Sequence, residues 1–80
     1  MRISEAVKLR ILELCQQRHI TLNKLSTICG ITQSTLNNIM NRRNATTTVT
    51  TIQKICDGLE ISILDFFNSD LFHNLEQEIK

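Results

Sequence analysis

TLNKLSTICGITQSTLNNIMN, residues 21–41 of an 80-residue chain, reads as two short helices joined at a single glycine. Thr21 is placed to cap the first helix, and Leu22, Leu25, Ser26 and Cys29 then follow at i, i+3, i+4 and i+7, a stripe of apolar and small residues along one face. The stripe stops at Gly30. Glycine accepts a positive φ that a Cβ resists, so the chain can turn there, and Thr32 offers a second hydroxyl cap two residues later. On the helix that follows, Leu36, Ile39 and Met40 share one face. Gln33, Ser34, Asn37 and Asn38 share the other, and none of these four carries a charge. Amides donate and accept at once, which suits them to the mixed donor and acceptor edges of base pairs in a major groove. A polar helix face also suits a solvated bundle. What favours the first reading is that both helices, the turn glycine, the apolar Ile31, the small Ser26 and the paired Leu36 and Ile39 agree on one helix-turn-helix unit.

With those runs in view, the segment resembles the Cro and phage-repressor-like, or xenobiotic-response-element, family of regulators. The likeness covers residues 7–68 and is carried by ITLNKLS, GITQSTLNNIM and TIQKICDGLEIS. It implies that the second helix of the pair enters a DNA major groove, with Gln33, Ser34, Asn37 and Asn38 at the base-facing positions. Family members commonly hold an Arg after the last leucine of helix 1 and a Glu ending the recognition helix, joined as a buried ion pair. Here the matching positions are Cys15 and Met40, both apolar. Replacing both partners of such a pair leaves no stranded charge, so the expectation is that Cys15 and Met40 pack together.

Working outward, 80 residues allow one domain with a modest core. Hydrophobic residues at 41% against 21% charged are ordinary for a globular chain. No proline and two glycines favour an all-α fold. No apolar run reaches the ~20 residues of a membrane span and no secretory leader pattern opens the chain, which points to a cytoplasmic protein. The net charge of +1 hides an asymmetry: residues 1–50 hold seven Lys or Arg against two acids, and residues 51–80 hold two against six. A basic front would face a polyanion; a mixed solvated surface accounts for the same numbers.

Helix 1 is expected from a cap at Ser4 to about Arg18, with Val7, Ile11, Leu14 and Cys15 inward and Ile3 and Leu12 at the margin. QRHI closes it, and Ile20 can lie on Leu25. His19 at that helix end and the isolated His73 read as surface residues, not as metal ligands. After Asn41, a candidate for a left-handed turn, comes the polar RRNATTT. Its place beside the motif assigns Arg42 and Arg43 to the DNA backbone, and Thr48, capping helix 4, presents amides to a phosphate. Thr32 and Thr35, at the start of the recognition helix, join that phosphate set. Helix 4 carries Val49, Ile52, Ile55 and Cys56 inward and ends near Leu59, so Glu60 must turn without glycine; Ser62 then caps a fifth helix through Phe67. All three aromatics lie past residue 65 and read as core, which removes the base-stacking platform of single-strand binders. Cys15, Cys29 and Cys56 form no C-x-x-C pair and each falls on an inward stripe, so free buried thiols are expected, with no metal and no disulfide.

The chain is thus read as an all-α, five-helix repressor-like domain over residues 1–68, followed by an amphipathic tail over 69–80. There Leu71, Phe72, Leu75 and Ile79 allow a short sixth helix. Its expected function is sequence-specific binding of double-stranded DNA as a transcriptional regulator, a repressor, without enzymatic activity, cofactor, membrane or small-molecule ligand. Gly30, Ser26, Cys15 and Met40 are its structural residues. The rival reading is a protein-interaction module on the same fold, such as an antitoxin-like partner. Two half-sites call for a homodimer, expected through the C-terminal part, although the tail could equally cover the core.

Overall fold

A computed structural model describes residues 1–41 and 46–79. They form five helices, α1 (Ile3–Arg18), α2 (Leu22–Cys29), α3 (Gln33–Asn41), α4 (Val49–Leu59) and α5 (Ile63–Phe67), then a 3-10 turn, Asp70–Phe72, with no strand among the described residues. Four starts follow the hydroxyl rule, that of α3 through Thr32 Oγ1, which accepts from Thr35 N. Thr21 Oγ1 accepts from Lys24 N, Thr48 Oγ1 from Thr51 N and Ser62 Oγ from Asp65 N, each satisfying one orphan amide of a first turn. The start of α1 departs from expectation. Ser4 lies inside the helix, and Arg2 precedes it with no side-chain cap; the Arg2 carbonyl accepts from Glu5 N and Ala6 N instead.

Helix ends share one device. His19, Gly30 and Glu60 sit in the left-handed region at φ 56, 67 and 58, and each is followed by an isoleucine. The amides of Ile20, Ile31 and Ile61 donate to Cys15 O, Ser26 O and Cys56 O, while their side chains pack on the core. This is the Schellman arrangement, in which the apolar residue after the turn anchors it. Only Gly30 occupies that conformation without steric cost; for His19 and Glu60 the anchored isoleucine and satisfied carbonyls outweigh a cost of about 1–2 kcal/mol. Asn41 is the last residue of α3 and supplies no such turn.

The core gathers Val7, Ile11, Leu14 and Cys15 from α1 with Leu25, Leu36, Ile52, Ile55, Leu59 and Phe66 from the other helices. Ile3 and Leu12 stay exposed. Cys15 is buried and the half-buried Met40 packs on the same cluster, so both apolar side chains reach one core from α1 and α3. Two joints fix the helices around this core. At Gly58, α4 presses on α2 so closely that a Cβ there would stand 2.5 Å from Cys29 Sγ and 2.9 Å from both Cys29 Cα and the Ile28 carbonyl oxygen. At Arg10, buried in α1, the guanidinium donates to Phe66 O at 2.7 Å and Asp65 O at 2.8 Å and pairs with Glu13. Those carbonyls belong to the last turn of α5, where the helix runs out of its own amides; Asn68 N also reaches Asp65 O and Ser69 N reaches Phe67 O.

The tail forms no sixth α-helix. Beyond the 3-10 turn it runs irregularly back along the body, Phe72 packs on the core, Glu76 N donates to Met1 O at 3.0 Å, and Arg2 pairs with Glu78. The three phenylalanines explain the outcome. Phe72 stacks edge-on against Phe67, with centroids 4.9 Å apart, and Phe66 meets Phe67 at 5.0 Å; holding Phe72 there gives the tail tertiary contacts that a free helix would lack.

Candidate nucleic-acid interface

The candidate interface is built by the positions that α2 and α4 give to α3. Leu36 and Ile39 are drawn into the core, which turns Gln33, Ser34, Asn37 and Asn38 to solvent along one face. Thr32 precedes this face: its Oγ1 accepts from Thr35 N at 3.1 Å and donates to Thr35 Oγ1 at 2.9 Å. The start of α4 repeats the pattern, with Thr48 Oγ1 accepting from Thr51 N at 3.1 Å and donating to Thr51 Oγ1 at 3.0 Å.

One member of the first pair faces both members of the second across a cleft of about 220 Å³, bordered by Thr35 and Asn38 on α3 and by Thr46, Thr47, Thr48 and Thr51 before and at the start of α4. Neither α3 nor α4 carries an acidic residue in its first turn. The partial positive charge of both N-termini is therefore left uncompensated beside this hydroxyl-rich cleft, and a negative group placed there is favoured. Sequence reading assigns Thr35 and Thr48 to one role without bringing them together, and it misses Thr51. The T-x-x-T spacing, present at both helix starts, is the signal that links them. Arg42 and Arg43 lie outside the described residues.

Two further residues escape a reading of the sequence. Gly58 sits inside a helix, where glycine costs about 1 kcal/mol relative to alanine, and that cost is the available sign of a close approach. Arg10 lies on the inward side of α1, a charge among apolar positions, but its partners are backbone carbonyls 55 and 56 residues away and leave no sequence signature.

The rest of the surface offers little reaction chemistry. Cys15, Cys29 and Cys56 are free and buried, and burial pushes each thiol up; Cys29 is pushed up to about 11, with Cys15 and Cys56 beside it adding to the effect. Such thiols stay protonated near neutrality and are poor nucleophiles. His19 and His73 are exposed, and the described residues bring together no group of His, Cys, Asp and Glu able to hold a metal ion. Among them, no helix is long and apolar enough to cross a membrane.

Comparison with known proteins agrees with this geometry. A family model described as a Cro/C1-type HTH DNA-binding domain matches residues 10–69. Among solved structures, the crystal structure of the prophage Lp1 protein 11 is similar over 94% of this chain and 100% of that one, at 36% identity and a TM-score of 0.81. No curated protein matches.

Proposed function

Because the chain belongs to the Cro/C1-type helix-turn-helix DNA-binding family, we propose that it is a sequence-specific regulator of transcription, a cytoplasmic repressor that reads double-stranded DNA with the outer face of α3. The observation that carries this reading is the exposed, uncharged set Gln33, Ser34, Asn37 and Asn38 on one face of that helix, beside the threonine cleft. The amides and hydroxyl suit base edges, whereas the hydroxyls and free helix N-termini of the cleft suit a phosphate. Thr32, Thr35 and Thr48 take backbone contacts, and Arg42 and Arg43 join them from their place just past α3 in the sequence. Two half-sites are engaged by a homodimer through the C-terminal part. Neither cofactor nor catalytic step enters this role.

Gln33 is the residue to test, since the first turn of α3 points most directly into a groove and its amide can pair bidentately with adenine. An operator is first selected from a random duplex pool, and binding is then titrated at several salt concentrations. Gln33→Ala costs about 1–3 kcal/mol on the operator and almost nothing on unrelated duplex. Arg43→Ala instead weakens every duplex and lowers the slope of log K against log[salt] by about 0.9 for each phosphate the arginine neutralises. If Gln33→Ala weakens all duplexes equally and leaves the slope unchanged, α3 does not read bases, and a protein-interaction role replaces this one.

A further inference from the structure

The two ends of the chain are tied together at one place on the surface. Glu76 N donates to the Met1 carbonyl oxygen at 3.0 Å, which lays the tail beside the first residue. Two residues further on, Glu78 holds the Arg2 guanidinium with both carboxylate oxygens. Arg2 Nε and Nη2 donate to Oε2 at 3.2 and 3.0 Å, and Nη2 also donates to Oε1 at 3.1 Å. Both side chains stay about half exposed. A pair this wet adds little to stability, because water screens it and two long side chains must be held still. Its position is another matter: among the described residues it is the ion pair that joins the basic front of the chain to its acidic back.

Arg2 and Glu78 line a groove of about 380 Å³ that Thr46 and Thr47 also line. The same two threonines line the cleft between α3 and α4 that suits a phosphate. Arg2 therefore stands one groove away from that cleft, at the start of α1. A guanidinium grips a carboxylate and a phosphate through the same fork of N–H donors, so Glu78 occupies the bonds that a phosphate would take. It also sets a negative charge beside the route of a polyanion. We propose that the tail is an autoinhibitory latch: Glu78 withholds Arg2 from the DNA backbone, and release of the tail frees Arg2 to contact a phosphate beside the threonine cleft. The latch rests on the DNA-binding reading. Its weakness suits the role, since a screened surface pair is readily exchanged for a phosphate whose neutralisation releases condensed counterions.

Titrations of the full chain with the selected operator and with an unrelated duplex, from about 50 to about 200 mM salt, test the latch. Glu78→Gln keeps the size of the side chain and removes its charge. It tightens both duplexes and steepens the fall of log K with log[salt] by about 0.9, the share of one phosphate, so its advantage over the native chain is about threefold larger at the low end of that range than at the high end. Glu76→Gln changes the net charge of the same tail by the same amount, at a side chain to which none of the Arg2 hydrogen bonds runs, and leaves the slope near the native value. In the double variant R2Q/E78Q the added slope disappears, because no cation is left to free. The thermal melt stays in place throughout, as expected for an exposed pair. A Glu78→Gln slope equal to the native one overturns the proposal, as does an equal steepening from Glu76→Gln or one that survives in R2Q/E78Q. If neither the native chain nor Glu78→Gln binds any duplex, the DNA-binding reading falls and the latch with it. If the native chain binds its operator selectively and Glu78→Gln only matches it, the latch alone falls.

Discussion

The two joints that hold this domain together are opposite in kind. Between α2 and α4 the contact is made by something missing, the side chain of Gly58, which lets the backbones close until Cys29 fills the space. Between α1 and α5 it is made by something added, the Arg10 guanidinium reaching the carbonyls of Asp65 and Phe66. The first sets a distance and tolerates no extra atom. The second sets an orientation and tolerates no missing donor. Each stands behind a different surface: the α2–α4 joint supports the pair of helices that presents Gln33 to Asn38, and the α1–α5 joint holds the helix that carries Leu64 and Phe67.

If that contrast is right, the joints break in opposite ways, and the polar one breaks harder. Arg10→Ala takes the donor from the Phe66 carbonyl, removes a second bond from that of Asp65 and strips Glu13 of its partner, so it costs about 3 kcal/mol, taking each bond to a charged group at about 1.5–3 kcal/mol. Urea unfolding measures that change. Gly58→Ala comes next. The added methyl meets backbone atoms as well as a thiol, so overpacking outweighs the gain in helix propensity and leaves a net cost of about 1–2 kcal/mol. Combining it with Cys29→Ala relieves the 2.5 Å contact with sulfur but not the two at 2.9 Å with backbone, so rescue is partial.

The apolar joint also has a pH limit. The Cys29 thiol moves from 9.0 to about 11 in the folded chain, so folding favours its protonated form. That contribution is complete below pH 9 and disappears as pH rises toward 11. The melting temperature should fall across that window, and the fall should shrink in Cys29→Ala. The smallest expected effect lies outside both joints. Glu60→Gly relieves a left-handed residue, offset by the flexibility glycine adds to the unfolded chain, for a net gain of about 0.5 kcal/mol or less. A drop in stability at Glu60 instead would mean that its side chain contributes more than its backbone strain costs.

How far the chain can be read from its residues follows the range of the forces involved. Helix caps are legible because Thr21, Thr48 and Ser62 act on amides three residues away, and the turn at Gly30 is legible because one residue decides its φ. Ser4 misleads for the same local reason: a hydroxyl at a plausible cap position carries no sign that the Arg2 carbonyl will take the first amides instead. The tail misleads through periodicity. Leu71, Phe72, Leu75 and Ile79 suit a helix, yet the pull of Phe67 on Phe72 and of Met1 on Glu76 outcompetes one.

What the sequence alone determined is therefore the set of five α-helices, most of their inward faces and the uncharged outer face of α3, since each depends on spacing within a few residues. Val49, read as inward on α4, is instead 74% exposed, because it stands at the first position of the helix, beyond the edge of the core. Only the tertiary structure decided that Thr35 and Thr51 would border one cleft, that Gly58 would be a point of close approach and that Arg10 would be a buried clamp. Those residues lie tens of positions apart, and no local preference couples them. They meet because burying the shared core leaves the helices one close-packed arrangement, and the side chains outside that core go where the arrangement carries them.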